Sequence, residues 1–264
     1  MEKKQESKCK ELILLFENKL DDEQRKLAVE AGISDALLKI VPSRNCSTFI
    51  HAFYVLTYPC SNEIRLQIYN KNPYPVLLNL LQNKNINIVQ DSITSINNIL
   101  AAGFNTTPST SVHPHFESIS DIKGIEKLFS LFMRNVSERT KYLSGFCLGS
   151  IFRNREIIDP EMKKQLMSYI YPLINSNDTL TQNSAKKVFK GLILNKNVYT
   201  KDTAAICIGK LYKSQIIENA EMRKQIIMHI VILSRRTDGW SANAKSILVD
   251  LALNPINKAE IEKN

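Results

Sequence analysis

"NINIVQDSITSINNIL", residues 85–100, is the stretch whose reading decides the fold. Its apolar residues Ile88, Val89, Ile93, Ile96, Ile99 and Leu100 share one side of a 3.6-residue helix. Asp91, Thr94, Ser95 and Asn98 share another side, spaced i, i+3, i+4, i+7. A surface helix would ordinarily carry Lys and Glu there. Short hydrogen-bonding side chains in their place need a reason.

Outward from this stretch the chain repeats itself. A first helix is expected over about Glu2–Leu20, with Asp21 as a cap paired to Gln24. Helices are then expected over 28–41, 45–58, 62–69, 72–82, 85–103, 122–135 and 137–154, and over 160–177, 179–195, 202–214, 219–236 and 240–254. The long ones each carry an apolar pair: Phe53/Leu56, Ile96/Ile99, Leu148/Ile151, Phe189/Leu192, Ile208/Leu211 and Leu248/Leu251. The first members step along the chain by 43, 52, 41, 19 and 40 residues. Three of these steps are near the ~40–47 residues of helical solenoid repeats. The 52 reflects an insertion at 103–119, rich in Ser, Thr and Pro and read as a loop; the 19 marks an irregular place near 202–214. Repeating helix groups of this size bury their apolar sides only by stacking on one another. The fold class is therefore all-α, an α-solenoid of stacked helical repeats. Residues 1–264 read as one domain, with capping helices at 1–26, about five repeats over 27–254 and a tail at 255–264.

"NPYPVLLNLLQNKNINIVQDSITSINNIL" (72–100), with "EAGISDALLKIV" (30–41), resembles the armadillo repeat. That repeat has a short first helix, a Gly/Pro break, an apolar second helix and a third helix opening on Val-Gln and closing on Leu-x-Asn-Ile/Leu. Val89-Gln90 and Ile96-Asn97-Asn98-Ile99 fit this pattern. The resemblance implies a right-handed α-solenoid of armadillo/HEAT-like helical repeats with a concave groove lined by third helices, in which an amide at the Asn98 position holds the backbone of an extended peptide. Val55, Ser150, Gly191, Lys210 and Asp250 stand at the matching positions, so there is no ladder of asparagines. The groove candidates are His51, Tyr54, Asp91, Ser95, Asn98, Ser150, Lys187, Lys190, Lys210, Ser246 and Asp250. The implied function is a non-enzymatic scaffold that binds an extended peptide or partner helix.

Charge refines the partner. The chain has 35 Lys+Arg against 26 Asp+Glu, and residues 127–213 alone hold 15 basic and 6 acidic groups. A groove that is aromatic and polar at one end and basic further on suits a partner with an acidic extended segment. The alternative is a nucleic acid along the basic 127–213 surface, a reading weakened by interspersed acids and by aromatics on packing positions.

Enzyme chemistry finds little support. The five cysteines form no C-x-x-C pair and read as buried hydrophobes, so no metal cluster or disulfide framework is expected. His113-Pro114-His115 has too few neighbouring ligands for a metal. "IGKLYKS" (208–214) lacks the glycines of a phosphate loop, and Gly145-x-x-x-Gly149 reads as close helix packing. Neither cofactor nor metal is expected. No apolar run approaches a membrane span, and the charged N-terminus does not read as a signal peptide. The expected location is intracellular, cytoplasmic or nuclear.

Overall fold

The computed structural model describes residues 2–44, 46–108, 110–174, 176–193 and 198–264, apart from the side chains of residues 2, 171, 189–193, 198–200 and 211. Every regular element among the described residues is helical. Contacts divide the chain into two units, residues 1–151 and 152–264.

The first unit holds α1 (Glu2–Phe16), α2 (Asp22–Glu30), α3 (Ile33–Ile40), α4 (Ser47–Thr57), α5 (Asn62–Tyr69), α6 (Tyr74–Leu80), α7 (Ile86–Thr106), α8 (Phe116–Ser120), α9 (Gly124–Arg134) and α10 (Glu138–Ile151). Local chemistry sets several boundaries. The Asp21 carboxylate accepts from the Gln24 N–H at 3.0 Å, and the Asn85 amide oxygen from the Asn87 N–H at 3.0 Å. Gly32 sits at φ 81°, which separates α2 from α3 within the expected 28–41 helix. Pro75 is the second residue of α6, in the first turn, where a missing N–H costs nothing.

Packing runs in two layers. In one, α1 packs on α4, α4 on α7 and α7 on α10. In the other, α2 packs on α3 and α5, and α6 on α9; α5 and α6 also press on α7, and α9 on α10. The apolar pairs Phe53/Leu56, Ile96/Ile99 and Leu148/Ile151 are fully inaccessible, as the repeat register requires. Burying a Leu, Ile or Phe side chain contributes about 1.5–3 kcal/mol, so these six positions are a large part of the unit's stability. Cys9, Cys60, Cys147 and Cys207 are buried free thiols, and Cys46 is half-buried.

A charge lies inside this unit too. Arg25 is fully buried; its guanidinium donates to Val55 O at 3.0 Å, Phe16 O at 2.6 Å and Asp21 O at 3.4 Å. Phe16 ends α1 and Val55 lies in the last turn of α4. The cation thus meets the negative ends of two helices, and its ring-side neighbour is Phe16 at 5.0 Å.

The 103–119 segment departs from its expected reading as a loop with little burial. Helix α7 continues to Thr106, where the Thr106 and Thr107 hydroxyls donate to Ala102 O and Gly103 O. Residues 116–120 form α8, and His113, His115 and Ile119 are buried. His113 Nε2 is 3.1 Å from Leu100 O, and its Nδ1 accepts from the His115 N–H. His115 Nδ1 is 2.8 Å from the Tyr74 hydroxyl, and its ring stacks on Tyr69. A side chain at position 103 would meet His115 at 2.9 Å, so Gly103 makes the room. Both imidazoles are occupied as packing groups.

The second unit holds α11 (Pro160–Leu173), α12 (Thr179–Ile193), α13 (Val198–Leu211), α14 (Ala220–Ser234), α15 (Trp240–Leu251) and α16 (Pro255–Ile261). Asp159, Asp178, Asn219 and Asn254 cap four of these helices through side-chain oxygens. The hydrogen bonds at its cap hold the Asp178 carboxyl below the usual range. The expected tail, 255–264, contains helix α16. It is held by Asn257, fully buried, whose amide bridges Ile217 N and Gln215 O.

Candidate partner-binding face

Along α4 the sides divide sharply. Phe49, Ile50, Ala52, Phe53, Val55 and Leu56 are inaccessible, whereas Thr48, His51 and Tyr54 are half-buried and Tyr58, just past the helix, is exposed. Tyr54 stacks on Tyr58 at 6.4 Å and tilts against His51 at 5.5 Å. His51 Nδ1 is 3.0 Å from Asp91 Oδ2 on α7, and Nε2 is 3.2 Å from Glu17 Oε1, just beyond α1. The Asp91 hydrogen bond raises the His51 pKa above its ordinary value against the opposing effect of burial, with Glu17 adding to it. Burial raises the Tyr54 pKa, an effect Arg139 on α10 opposes. Beside this cluster is a pocket of about 410 Å³ lined by Lys10, Ile13, Ser47, Thr48, His51, Asn87, Gln90 and Asp91. It offers hydroxyl and amide groups that both donate and accept.

The polar stripe of α7 has a different use. Ser95 is fully buried and Asn98 is 9% exposed, which corrects the expectation that both face an open groove. Ser92, Thr94 and Ser95 donate their hydroxyls to Ile88 O, Gln90 O and Asp91 O one turn back. Asn98 Nδ2 donates to Thr57 Oγ1 at 3.1 Å, across to the end of α4. Helix α7 is pressed by α4, α5, α6 and α10 together, so little of its surface is left over. Short side chains are there because neighbouring helices come close, and each hydroxyl meets its need within its own turn. Of the α7 candidates, Asp91 alone reaches the outer edge.

No protein-family model matches the sequence, and no curated protein does. Among solved structures it is similar to the designed armadillo repeat protein YIII(Dq)4CqI, with TM-score 0.52 and 14% identity over 94% of this chain and 93% of that one. It is also similar to computationally designed armadillo repeat proteins for modular peptide recognition, with TM-score 0.53, 13% identity, and 94% and 93% coverage. The fold is of armadillo type.

The irregular step of 19 falls between α12 and α13. In the second unit α13 packs on α12, α14 and α15. The sequence reading had placed an apolar pair on each of these two helices, Phe189/Leu192 and Ile208/Leu211. Lys187 is exposed on α12, while the Lys190 side chain lies outside the described residues. Lys210 is exposed on α13. On α15, Ser246 is exposed and Asp250 is half-buried, 3.9 Å from Lys213. Ser150 is half-buried on α10.

Two features were not visible in the sequence. Glu17, Lys10, Asn87 and Gln90 join the face only through the packing of α1 and α7 on α4. The other is Asp202, 2% exposed on α13, which accepts from His229 Nε2 at 2.7 Å and Arg236 at 2.7 Å. Arg236 also pairs with Asp238. The one available signal was an acid amid the small and apolar residues of "TKDTAAICIG". Among the described residues there is no group of three or more candidate metal ligands, and no helix is long and apolar enough to cross a membrane.

Proposed function

We propose that this chain is a non-enzymatic intracellular scaffold that holds an extended segment of a partner protein on the α1–α4–α7 side of its armadillo repeats. The observation that carries this reading is the pocket beside His51. Ser47, Thr48, Asn87 and Gln90 there present neutral donors and acceptors suited to a peptide backbone, with the Tyr54 and Tyr58 rings alongside. Ser150 and, in the second unit, Lys187, Lys190, Lys210, Ser246 and Asp250 are further candidate contacts. The exposed ammonium groups of Lys187 and Lys210 favour an acidic stretch in the partner.

The test is capture of partners by the full chain, followed by affinity measurements with the partner identified. Tyr54→Ala with Gln90→Ala should weaken binding about tenfold or more, since aromatic anchors dominate such interfaces. Lys187→Ser with Lys210→Ser should flatten its salt dependence. Wild-type affinity in both double variants would remove these residues from consideration. A captured RNA with a steep salt slope would favour the nucleic-acid alternative.

A further inference from the structure

Both ring nitrogens of His51 face carboxylate oxygens, Asp91 Oδ2 at 3.0 Å and Glu17 Oε1 at 3.2 Å. A neutral imidazole has one N–H and cannot donate to both; the imidazolium can. Without the second proton, a nitrogen lone pair would oppose a carboxylate at hydrogen-bonding distance. The two acids come from opposite sides of α4. Glu17 immediately follows the last residue of α1, and Asp91 lies in the second turn of α7. Their exposures differ, 45% for the Glu17 side chain and 19% for Asp91. The better-buried Asp91 retains the remaining N–H, and the Glu17 arm is the one that yields.

The surroundings leave the pair of acids in control. From α1, Lys10 lines the same pocket, but its ammonium is held by Glu6 at 2.8 Å. The neighbouring rings are Tyr54 on α4 and Tyr58 just past it, and Arg139 of α10 acts on Tyr54. On the helices packed on the other sides of α4, Lys39 of α3 is exposed and the acids pair elsewhere. On α3, Asp35 pairs with Lys71; on α5, Glu63 pairs with Lys26 and Arg65 donates to Thr57 O.

We propose that Glu17, His51 and Asp91 form a proton-dependent clasp that fastens the capping helix α1 across α4 to α7 and so regulates access to the pocket between them. This deepens the reading of that face as the partner site. The clasp is closed while His51 is doubly protonated. Because the folded pKa is raised, its stabilisation is complete below about pH 6.5, the unfolded value, and is lost as pH rises through the folded value. The Arg25 bond to Phe16 O stays in place, so α1 loosens without leaving.

The test needs no partner, so its outcome is separate from that of the capture experiment. Amide protection of Leu12–Phe16, corrected for intrinsic exchange, is followed from pH 5.5 to 8.5 in the full chain, with α15 amides as reference. The His51 imidazole is titrated by NMR in the same samples. Protection of α1 should fall about tenfold across the His51 midpoint, the effect of losing one charge-assisted hydrogen bond. In Glu17→Gln the midpoint should drop and the α1 response should flatten. In His51→Gln the response should vanish. Protection that ignores the His51 titration, or that responds equally in Glu17→Gln, overturns the clasp. Glu17 is half-exposed, so that variant remains decisive if His51→Gln fails to fold.

Discussion

The Tyr74 hydroxyl lies 2.8 Å from His115 Nδ1, and the Tyr69 ring stacks on the same imidazole at 3.7 Å. Burial lowers the His115 pKa to about 4. The unfolded chain, with a histidine pKa near 6.5, binds this proton first on acidification. Stability contributed by neutral His115 is therefore present above about pH 6.5 and lost as pH falls toward 4, by about 3 kcal/mol in full. His51 works in the opposite sense. Urea midpoints of wild type and His115→Gln, compared at pH 7 and 4.5, should show a shallower acid loss in the variant. Equal slopes would mean that His115 titrates normally. Asn98 has a related fate. Its amide is spent on Thr57, so Asn98→Ala should cost about 1 kcal/mol of folding stability. Affinity for a partner should move little, which a binding isotherm on the folded variant would check.

Helices were legible wherever a boundary depends on adjacent residues. Asn62–Tyr69 matches its expected span, and the other long helices differ at their ends by a few positions, because caps, glycines and prolines act locally. The 103–119 segment was not legible. Its Ser, Thr and Pro content describes a loop, while its place is set by Tyr69, Tyr74 and Leu100, which lie outside the segment. Arg25 and Asp202 were missed for the same reason: helix ends and cations from distant stretches make their burial tolerable. Deleting 104–118 should lower stability by more than about 2 kcal/mol, since it strips the core of His113 and His115 and leaves the Tyr74 hydroxyl buried without its partner. An unchanged denaturation midpoint would show that the segment is dispensable. The face itself was half legible. His51, Tyr54 and Asp91 share a helical stripe or its neighbour, whereas the partners that complete it arrive by tertiary packing.

On the scale of the molecule, the reading of residues 1–264 as one domain meets a contact map that separates at Ile151 and Phe152. Calorimetry distinguishes the two. One transition whose calorimetric and van't Hoff enthalpies agree would support a single cooperative domain, and two resolved transitions would divide the chain there. Within each unit, helices touch others that lie close in sequence. Long-reaching bonds such as Arg134 to Leu81, 53 positions apart, span little more than one repeat. A ribosome adds residues at about 5–20 per second, so a helix leaving the exit tunnel waits only about 3–10 s for such a partner. The nascent chain can thus bury its apolar stripes turn by turn during synthesis, with little sticky surface left waiting for a distant C-terminus.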